Sequence, residues 1–159
     1  MADRIEGFRK SFPLPDLAAT DALAARIAAG LRAGHSIALK GDLGAGKTTL
    51  ARAILRALGV SEHVPSPTFT LVQSYETAKG TVFHFDLYRV EAARELDELG
   101  FDDALDQGIV LVEWPERAGG RLPDDALNVA LAMDDSGRAA TVSGDIYWKQ
   151  FLAEEKQHV

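Results

Sequence analysis

The spacing of apolar residues along the 159-residue chain changes several times, and the order of these changes predicts the fold class. Apolar residues recur at helical spacing over 16–32 and 48–58, whereas 36–40 and 108–113 are short apolar runs typical of buried strands. The stretch 65–75 is predicted to open as a stiff turn and to continue as a strand. Further strands are predicted at 81–88, 126–133 and 138–143, and further helices at 91–99, 101–106 and 144–155. This alternation predicts an α/β fold: one domain over 1–159, with a mixed, mostly parallel central sheet flanked by helices.

The ends of these predicted elements carry local signals. A short turn at Lys79-Gly80 separates two strands, which predicts an antiparallel hairpin. Thr20 or Asp21 is expected to cap part of the first long helix, and Gly34 to end it. Residues 1–15 are polar and contain proline, which predicts an edge strand or an arm.

Residues 41–48 read Gly-Asp-Leu-Gly-Ala-Gly-Lys-Thr, the complete pattern of a phosphate-binding loop, or P-loop. The segment joins the predicted 36–40 strand to a predicted helix, which is the context that this motif requires. Its glycines let backbone N–H groups turn inward around a phosphate, and the helix N-terminus adds partial positive charge. Lys47 is expected to reach the β- and γ-phosphates, and the Thr48 hydroxyl to ligate Mg²⁺. The motif predicts a P-loop NTPase domain that binds a nucleoside triphosphate.

Two acidic residues stand where a nucleotide hydrolase needs a carboxylate near Mg²⁺, at the carboxyl ends of strands. Glu113 ends the most hydrophobic predicted strand, and Asp86 ends the apolar run 82–85. Each is expected to serve the metal or the attacking water, and the sequence leaves open which of them contacts the metal. The structural alternative for both is capping of a strand end or pairing with an arginine.

Several other residues have both a functional and a structural interpretation. Thr68 lies in a proline-flanked segment that could fold over the γ-phosphate, but the pattern alone favours an ordinary strand-start threonine. Trp114, at the top of a strand, fits equally well beside the nucleotide or at the edge of the core. His84 alternates with two phenylalanines and is interpreted as a plain surface or core histidine. Arg89 and Arg117 are interpreted as salt-bridge partners, with contact to phosphate or a partner protein as the alternative.

The composition narrows the class of protein. The formal net charge of −7 and the pI of about 5.0 argue against a broad basic surface for nucleic acid and favour a protein partner. The absence of cysteine excludes disulfides and thiolate chemistry. The first residues contain no long apolar run, so no signal peptide or membrane span is predicted and a cytoplasmic location is expected.

Signatures of other nucleotide-binding classes are missing from the sequence. It contains neither an Asn-Lys-x-Asp guanine reader nor a Leu-Ser-Gly-Gly-Gln transporter signature, so adenine is the expected base by elimination. The stretch 97–100 reads Asp-Glu-Leu-Gly, like a switch motif, but it lies in a predicted helix and is interpreted as coincidence. A small-molecule kinase remains the alternative enzyme, although its usual arginine-rich lid is not apparent. A nucleotide-gated binding module is the non-enzymatic alternative.

Five blocks of residues occur in one order along the chain: Gly41–Thr49, Ser66–Phe69, His84–Arg89, Glu95-Leu96 with Gly100, and Glu113–Glu116. Their content and order resemble the TsaE (YjeE) family of small bacterial ATPases. The resemblance covers roughly residues 15–150, and the combination of blocks is more specific than the loop alone.

The resemblance implies slow ATP hydrolysis in isolation and action with the TsaB–TsaD pair in the synthesis of N6-threonylcarbamoyladenosine in tRNA. The ATPase is implied to drive turnover or resetting of that complex, with tRNA contacted indirectly. The implied cofactors are ATP or ADP with Mg²⁺. The residues implied to bind them are Gly41, Asp42, Leu43, Gly44, Ala45, Gly46, Lys47, Thr48, Thr49, Thr68 (in a switch-like loop) and Trp114. Catalysis is assigned by the resemblance to Lys47, Asp86 and Glu113, and metal binding to Thr48, Asp86 and Glu113.

Phosphoryl transfer often uses an arginine supplied by a partner, which raises the rate by about 10³-fold or more. No sequence motif places an arginine of this chain as such a finger. We therefore expect the partner to complete or order the site.

Overall fold

The computed structural model describes residues 7–61, 64, 70–135 and 137–153. The strands in this part of the chain are β1 (Gly7–Pro13), β2 (Ser36–Lys40), β3 (Val72–Thr77), β4 (Gly80–Asp86), β5 (Ile109–Glu113), β6 (Leu127–Asp134) and β7 (Gly137–Asp145). Its α-helices are α1 (Leu17–Gly30), α2 (Lys47–Ala57), α3 (Arg94–Glu98), α4 (Phe101–Gln107) and α5 (Lys149–Leu152), and 3₁₀ turns cover Pro115–Ala118 and Ile146–Trp148. No helix within these ranges is long and apolar enough to cross a membrane.

Among the described residues, seven strands form one sheet in the order β1-β7-β6-β2-β5-β4-β3. The inner strands β6, β2, β5 and β4 run parallel, and the outer strands join antiparallel. The predicted mixed α/β architecture is confirmed. Its parallel part is limited to these four strands, because an antiparallel hairpin (β3–β4 or β6–β7) lies at each end of this part. One of them is the predicted hairpin at Lys79-Gly80, which is confirmed by the antiparallel pairing of β3 with β4. Of the stretch 65–75, predicted as a turn followed by a strand, residues 65–69 lie outside the described residues, and the rest contains the start of β3.

The central strand β5 is buried on both faces, as its continuous apolar run predicts. Ile109 and Leu111 pack into the cluster that includes α1 and α2. Val110 and Val112 point to the other face, where they pack in a cluster with Phe101 of α4. Helices therefore cover the sheet on both sides and hold its inner strands in place.

The strand register brings the polar strand ends to one edge of the sheet. Asp86 at the end of β4 pairs with Glu113 at the end of β5. Glu113 in turn pairs with Leu39 of β2, two residues before Gly41. Because the three strands are parallel, the loop after β2 and both predicted acids emerge at the same carboxyl edge.

Helix α1 begins and ends at signals other than those predicted. The carboxylate of Asp16 accepts the N–H of the residue three positions further on (2.9 Å) and is the actual N-cap. Thr20 and Asp21 lie inside the helix, so their prediction as caps is wrong. The helix ends at Gly30 rather than at Gly34.

The prediction of a helix over 144–155 is wrong for most of that range. Strand β7 continues to Asp145, whose side chain accepts the N–H of Tyr147 and starts a 3₁₀ turn before α5. The turn is held by tertiary contacts, since the Tyr147 hydroxyl donates to the carbonyl of Gly30 (2.7 Å). A Cβ at Gly30 would lie 2.6 Å from the Trp148 ring, so the glycine allows this close approach.

Candidate functional site

A cavity of about 370 Å³ opens at the edge of the sheet where β2, β4 and β5 end. Its volume lies in the range of small-molecule sites, about 300–1,000 Å³. Its position outside the carboxyl ends of parallel strands is where open α/β sheets bind ligands. The residues that line it are Leu43, Gly44, Gly46, Lys47, Thr48, Thr49, Asp86, Tyr88, Arg89, Glu113, Trp114 and Arg138. The cavity therefore brings most of the predicted loop together with both predicted acids.

The loop after β2 enters α2 through a left-handed residue. Gly46 has φ +109°, a conformation that costs little only for glycine. Ahead of it, the N–H of Ala45 donates to the carbonyl of Asp42 (3.0 Å), and the Ala45 methyl packs into the core. Because the first turn of α2 lines the cavity, its unpaired N–H groups and the helix dipole favour an anion there.

The Lys47 side chain is buried against the loop, with only 5% of the residue exposed. Its ammonium donates to the carbonyl oxygens of Gly41 (2.6 Å) and Asp42 (3.0 Å). The same nitrogen lies 4.1 Å from the centroid of the Trp114 ring, a distance at which a cation is attracted to the ring face. A triphosphate in the cavity would compete with these contacts for the lysine charge.

Thr48, Glu113 and His84 form a hydrogen-bonded chain between the loop and two strands. The Thr48 hydroxyl donates to both carboxylate oxygens of Glu113 (2.8 and 2.9 Å). His84 Nε2 lies 2.7 Å from Oε2 of Glu113, and both side chains are almost fully buried. Because a carboxylate only accepts, Nε2 carries the proton in this bond. The chain fixes the Glu113 carboxylate beside the first turn of α2.

The polar groups around Glu113 suit a Mg²⁺ ion. Asp86 lies beside Glu113 and is 4% exposed, and one of its oxygens accepts the N–H of Tyr88 (3.0 Å). Mg²⁺ prefers oxygen ligands and usually takes one or two carboxylates, completing its shell with water and substrate phosphates. Thr48, Asp86 and Glu113 fit that chemistry, although no group of three or more His, Asp and Glu in the described ranges would hold a metal by itself.

Trp114 lies at the cavity in a strained backbone conformation. Its φ of +61° is uncommon for any residue except glycine, and such strain collects at functional sites. The ring centroids of Trp114 and Tyr88 are 4.9 Å apart. The indole therefore covers the Lys47 ammonium in the cavity wall and also packs against the edge of the core cluster that contains Phe101. Its place beside a nucleotide stays a prediction. Thr68 lies outside the described residues.

A comparison with protein families identifies the family to which the chain belongs. The family model described as "Threonylcarbamoyl adenosine biosynthesis protein TsaE" matches residues 14–140. The chain belongs to the TsaE family. The matched TsaE segment contains every residue that lines the cavity.

Individual relatives agree with this membership. Three proteins named "tRNA threonylcarbamoyladenosine biosynthesis protein TsaE" are similar to the chain. The protein of Rickettsia felis is 38% identical over 125 residues, which cover 77% of this chain and 73% of the relative. That of Haemophilus influenzae is 44% identical over 101 residues (63% and 64%), and that of Bacillus subtilis 37% over 140 residues (86% of each). The crystal structure of Bacillus subtilis YdiB is also similar, with a TM-score of 0.69 and 28% identity, covering 91% of this chain and 89% of that one.

Three residues at this TsaE-family site are not among those that the sequence predicts: His84, Tyr88 and Arg138. His84 was expected to be a plain histidine, but it bonds Glu113. A signal existed: residues two apart on a strand share a face, so His84 and Asp86 had to lie on the same side of β4. Arg138 at the start of β7 also lines the cavity, and no local motif indicates it. Arg117, by contrast, donates to the carbonyl of Val90 (3.2 Å) and does not line the cavity.

The Asp-Glu-Leu-Gly sequence at 97–100 is helical where it begins, as predicted. Asp97 belongs to α3, which packs on the far face of the sheet through its neighbour Leu96. The Asp97 carboxylate accepts a hydrogen bond from Arg121 (2.6 Å), and this bond lowers the pKa of the carboxyl. The stretch thus lies at α3 and does not line the cavity, which agrees with its interpretation as a coincidental match to a switch motif.

Proposed function

We propose that this TsaE-family protein is a Mg²⁺-dependent P-loop ATPase that acts with the TsaB–TsaD pair in forming N6-threonylcarbamoyladenosine in tRNA. One observation carries the proposal. The hydroxyl of Thr48 is hydrogen-bonded to the Glu113 carboxylate, and the neighbouring residue Lys47 is buried at the same cavity. A phosphate-binding loop and the acid of a neighbouring strand thus meet at one point. Phosphoryl transfer to water relies on this combination, because it needs positioning and charge stabilisation more than covalent chemistry.

Each group at the site has a task in this proposal. Lys47 would bind the β- and γ-phosphates, and Thr48 with Glu113 would hold Mg²⁺. The bound ion would supply neutralisation of the charge that develops on the phosphate oxygens. Asp86, beside Glu113, orients the attacking water. Trp114 covers the phosphate end of the cavity and keeps bulk water out. ATP is the substrate and ADP the product.

The proposals of a partner and of a slow rate in isolation are supported by the family membership and by the contacts of Lys47. The names of the relatives place those proteins in tRNA threonylcarbamoyladenosine biosynthesis. Lys47 is engaged by two loop carbonyls, so binding and ordering of ATP require rearrangement that a partner can assist. Thr68 is proposed to belong to a switch-like loop that takes part in it. The net charge of −7 favours a protein partner over direct tRNA binding. A cytoplasmic location is part of the proposal.

The test is phosphate release from Mg·ATP, measured for the protein alone, with TsaB–TsaD, and with TsaB–TsaD plus tRNA. We expect slow release alone and at least about a tenfold rise with the partners, because completing a phosphoryl-transfer site is worth about 10³-fold or more elsewhere. Pull-down of TsaB–TsaD with ATP, with ADP and without nucleotide tests the partnership directly.

Three results would contradict the proposal. A full rate alone, unchanged by TsaB–TsaD, would remove the partner from the mechanism. A phosphorylated small-molecule product in place of free phosphate would indicate the kinase alternative. Binding of ATP without turnover under any condition would indicate a nucleotide-gated binding module.

His84→Ala is expected to lower partner-stimulated phosphate release by about 10- to 100-fold, because losing the group that orients a metal-binding carboxylate has an effect of this size. His84→Gln restores an N–H donor toward Glu113 and should recover most of the rate. The matched control is His35→Ala: the His35 ring packs against Tyr147, and the residue precedes β2, at the end of the strand opposite the loop. Equal loss of activity in the His84→Ala and His35→Ala variants would mean that general destabilisation, not positioning, is responsible; thermal melting of both accompanies the assay.

A further inference from the structure

The β6–β7 hairpin approaches the phosphate-binding loop on the side opposite the acids. Strand β2 has β5 with Glu113 on one side and β6 on the other. The contact with β6 is close: a Cβ at Gly41 would lie 2.8 Å from the carbonyl oxygen of Leu131. The hairpin therefore forms a second wall next to the loop.

Arg138 connects this wall to the loop. Its Nη2 donates to the carbonyl of Gly44 (3.3 Å), and its Cδ and Nε lie 4.0 Å from where a Cβ at Gly46 would be. The side chain therefore lies along the outside of the loop, at the rim of the same cavity.

An apolar side chain stands beside Arg138. Met133 of β6 is the register partner of Arg138 on β7, and residues directly opposite each other in an antiparallel pair point to the same face. Met133 is 62% exposed, and Leu43 of the loop is 69% exposed. Leu43 and Arg138 line the cavity, and Met133 is the cross-strand neighbour of Arg138. An arginine with exposed apolar side chains suits the binding of a flat, partly apolar ring.

The direction in which a nucleotide lies follows from the other end of the cavity. Glu113, Asp86 and the Lys47 ammonium mark the end that suits Mg²⁺ and the terminal phosphates. Trp114 belongs to that end too, because its ring faces Lys47. Within the described part of the chain, the wall on the other side of the loop from these acids is the β6–β7 hairpin, and we place the nucleoside half of the nucleotide against it.

We propose that Arg138, supported by Met133, binds the nucleoside half of ATP, a step that rests on the proposed function. The planar guanidinium stacks on the purine ring while Nη2 stays on the Gly44 carbonyl. Guanidinium groups stack on aromatic faces, and methionine adapts to irregular ring surfaces. Arg138 then contacts a part of the nucleotide that ATP and ADP share and that inorganic tripolyphosphate lacks.

The test is the dissociation constant of ATP, ADP and inorganic tripolyphosphate, each with Mg²⁺, measured by calorimetry for the wild type and two variants. Arg138→Ala should weaken the binding of ATP and ADP alike by about fivefold, the size expected for losing one stacked cation at an exposed site. Tripolyphosphate binding should change by less than about twofold, because tripolyphosphate has no ring for the guanidinium to contact. Arg138→Lys keeps the charge and a donor for Gly44 but lacks the planar group, so it should resemble Arg138→Ala.

The control is Arg9→Ala, an exposed arginine on the edge strand β1, which should leave all three constants unchanged. Equal weakening of ATP, ADP and tripolyphosphate by Arg138→Ala would overturn the proposal and assign Arg138 to the phosphates or to the order of the loop. Loss of turnover with unchanged ADP binding would overturn it in favour of a role at the γ-phosphate. Full recovery by Arg138→Lys would overturn the stacking. Failure of the proposed function would be seen separately, in the wild type, as binding of neither ATP nor tripolyphosphate. That result would also contradict the role proposed for Arg138.

Discussion

Glu113→Gln is expected to lower phosphate release by about a hundredfold or more while the protein stays folded and still binds ATP. The carboxylate is the point where the Thr48 hydroxyl and His84 Nε2 converge, and it lies at 2% exposure beside Asp86. A metal ion that stabilises transition-state charge contributes several kcal/mol, and about 2.7 kcal/mol corresponds to a hundredfold in rate. The amide keeps an oxygen for the Thr48 hydroxyl but loses the negative charge that holds Mg²⁺.

The measurement is phosphate release over a range of Mg²⁺ concentrations, with TsaB–TsaD present. Glu116→Gln is the matched control, because Glu116 is exposed in the 3₁₀ turn just after Trp114 and does not line the cavity. Asp86→Asn separates the two acids: we expect it to lower the rate without shifting the Mg²⁺ dependence, whereas Glu113→Gln shifts that dependence to higher concentration. A Glu113→Gln rate within about threefold of wild type, at every Mg²⁺ concentration, would exclude the acid from the mechanism.

Lys47→Met is expected to weaken the binding of both ATP and ADP by about a hundredfold or more. The Nζ group would exchange its contacts with the Gly41 and Asp42 carbonyls for contacts with phosphate. Hydrogen bonds to charged groups contribute about 1.5–3 kcal/mol each, and two of them correspond to at least a hundredfold in affinity. Methionine keeps most of the apolar stem that packs in the loop, so the variant should fold.

The loss is measured as the shift in thermal midpoint on adding Mg·ATP. A ligand at a hundred times its dissociation constant stabilises a protein by about 2.7 kcal/mol, so the wild type should show a clear shift and Lys47→Met almost none. Lys40→Met is the control, since Lys40 is exposed at the end of β2 just before the loop. An undiminished ATP shift in Lys47→Met would show that the loop does not bind the phosphates through this residue.

The two variants test different parts of the site. Lys47→Met removes binding that the substrate and the transition state share, whereas Glu113→Gln removes stabilisation that matters most in the transition state. Binding lost with Lys47→Met but kept with Glu113→Gln would support the division of labour proposed here.

Most of the fold and part of the site could be predicted from local patterns. The β2–loop–α2 unit was predictable because its residues are contiguous and the glycines, lysine and threonine have fixed spacing. Glu113 was predictable because a continuous apolar run identifies a strand buried on both faces, and polar residues at the ends of parallel strands share an edge. The ends of α1 and the C-terminal segment were not predictable in detail. Several residues near the start of α1 can cap a helix, and the sequence does not show that Asp16 is the one that does. In the C-terminal segment, the packing of Trp148 on Gly30 stabilises a 3₁₀ turn where the pattern predicts a helix.

The sequence by itself determined the loop at 41–48, the two acids and the family resemblance, because each depends on residues that are close together or on blocks that keep their order. Only the tertiary structure decided that His84 holds Glu113, that the Trp114 ring covers Lys47, and that Arg138 reaches the loop from a hairpin 94 positions away from Gly44. These contacts depend on strand order and register across the sheet. Short-range patterns do not encode them, since register is set by which faces of neighbouring strands are buried together.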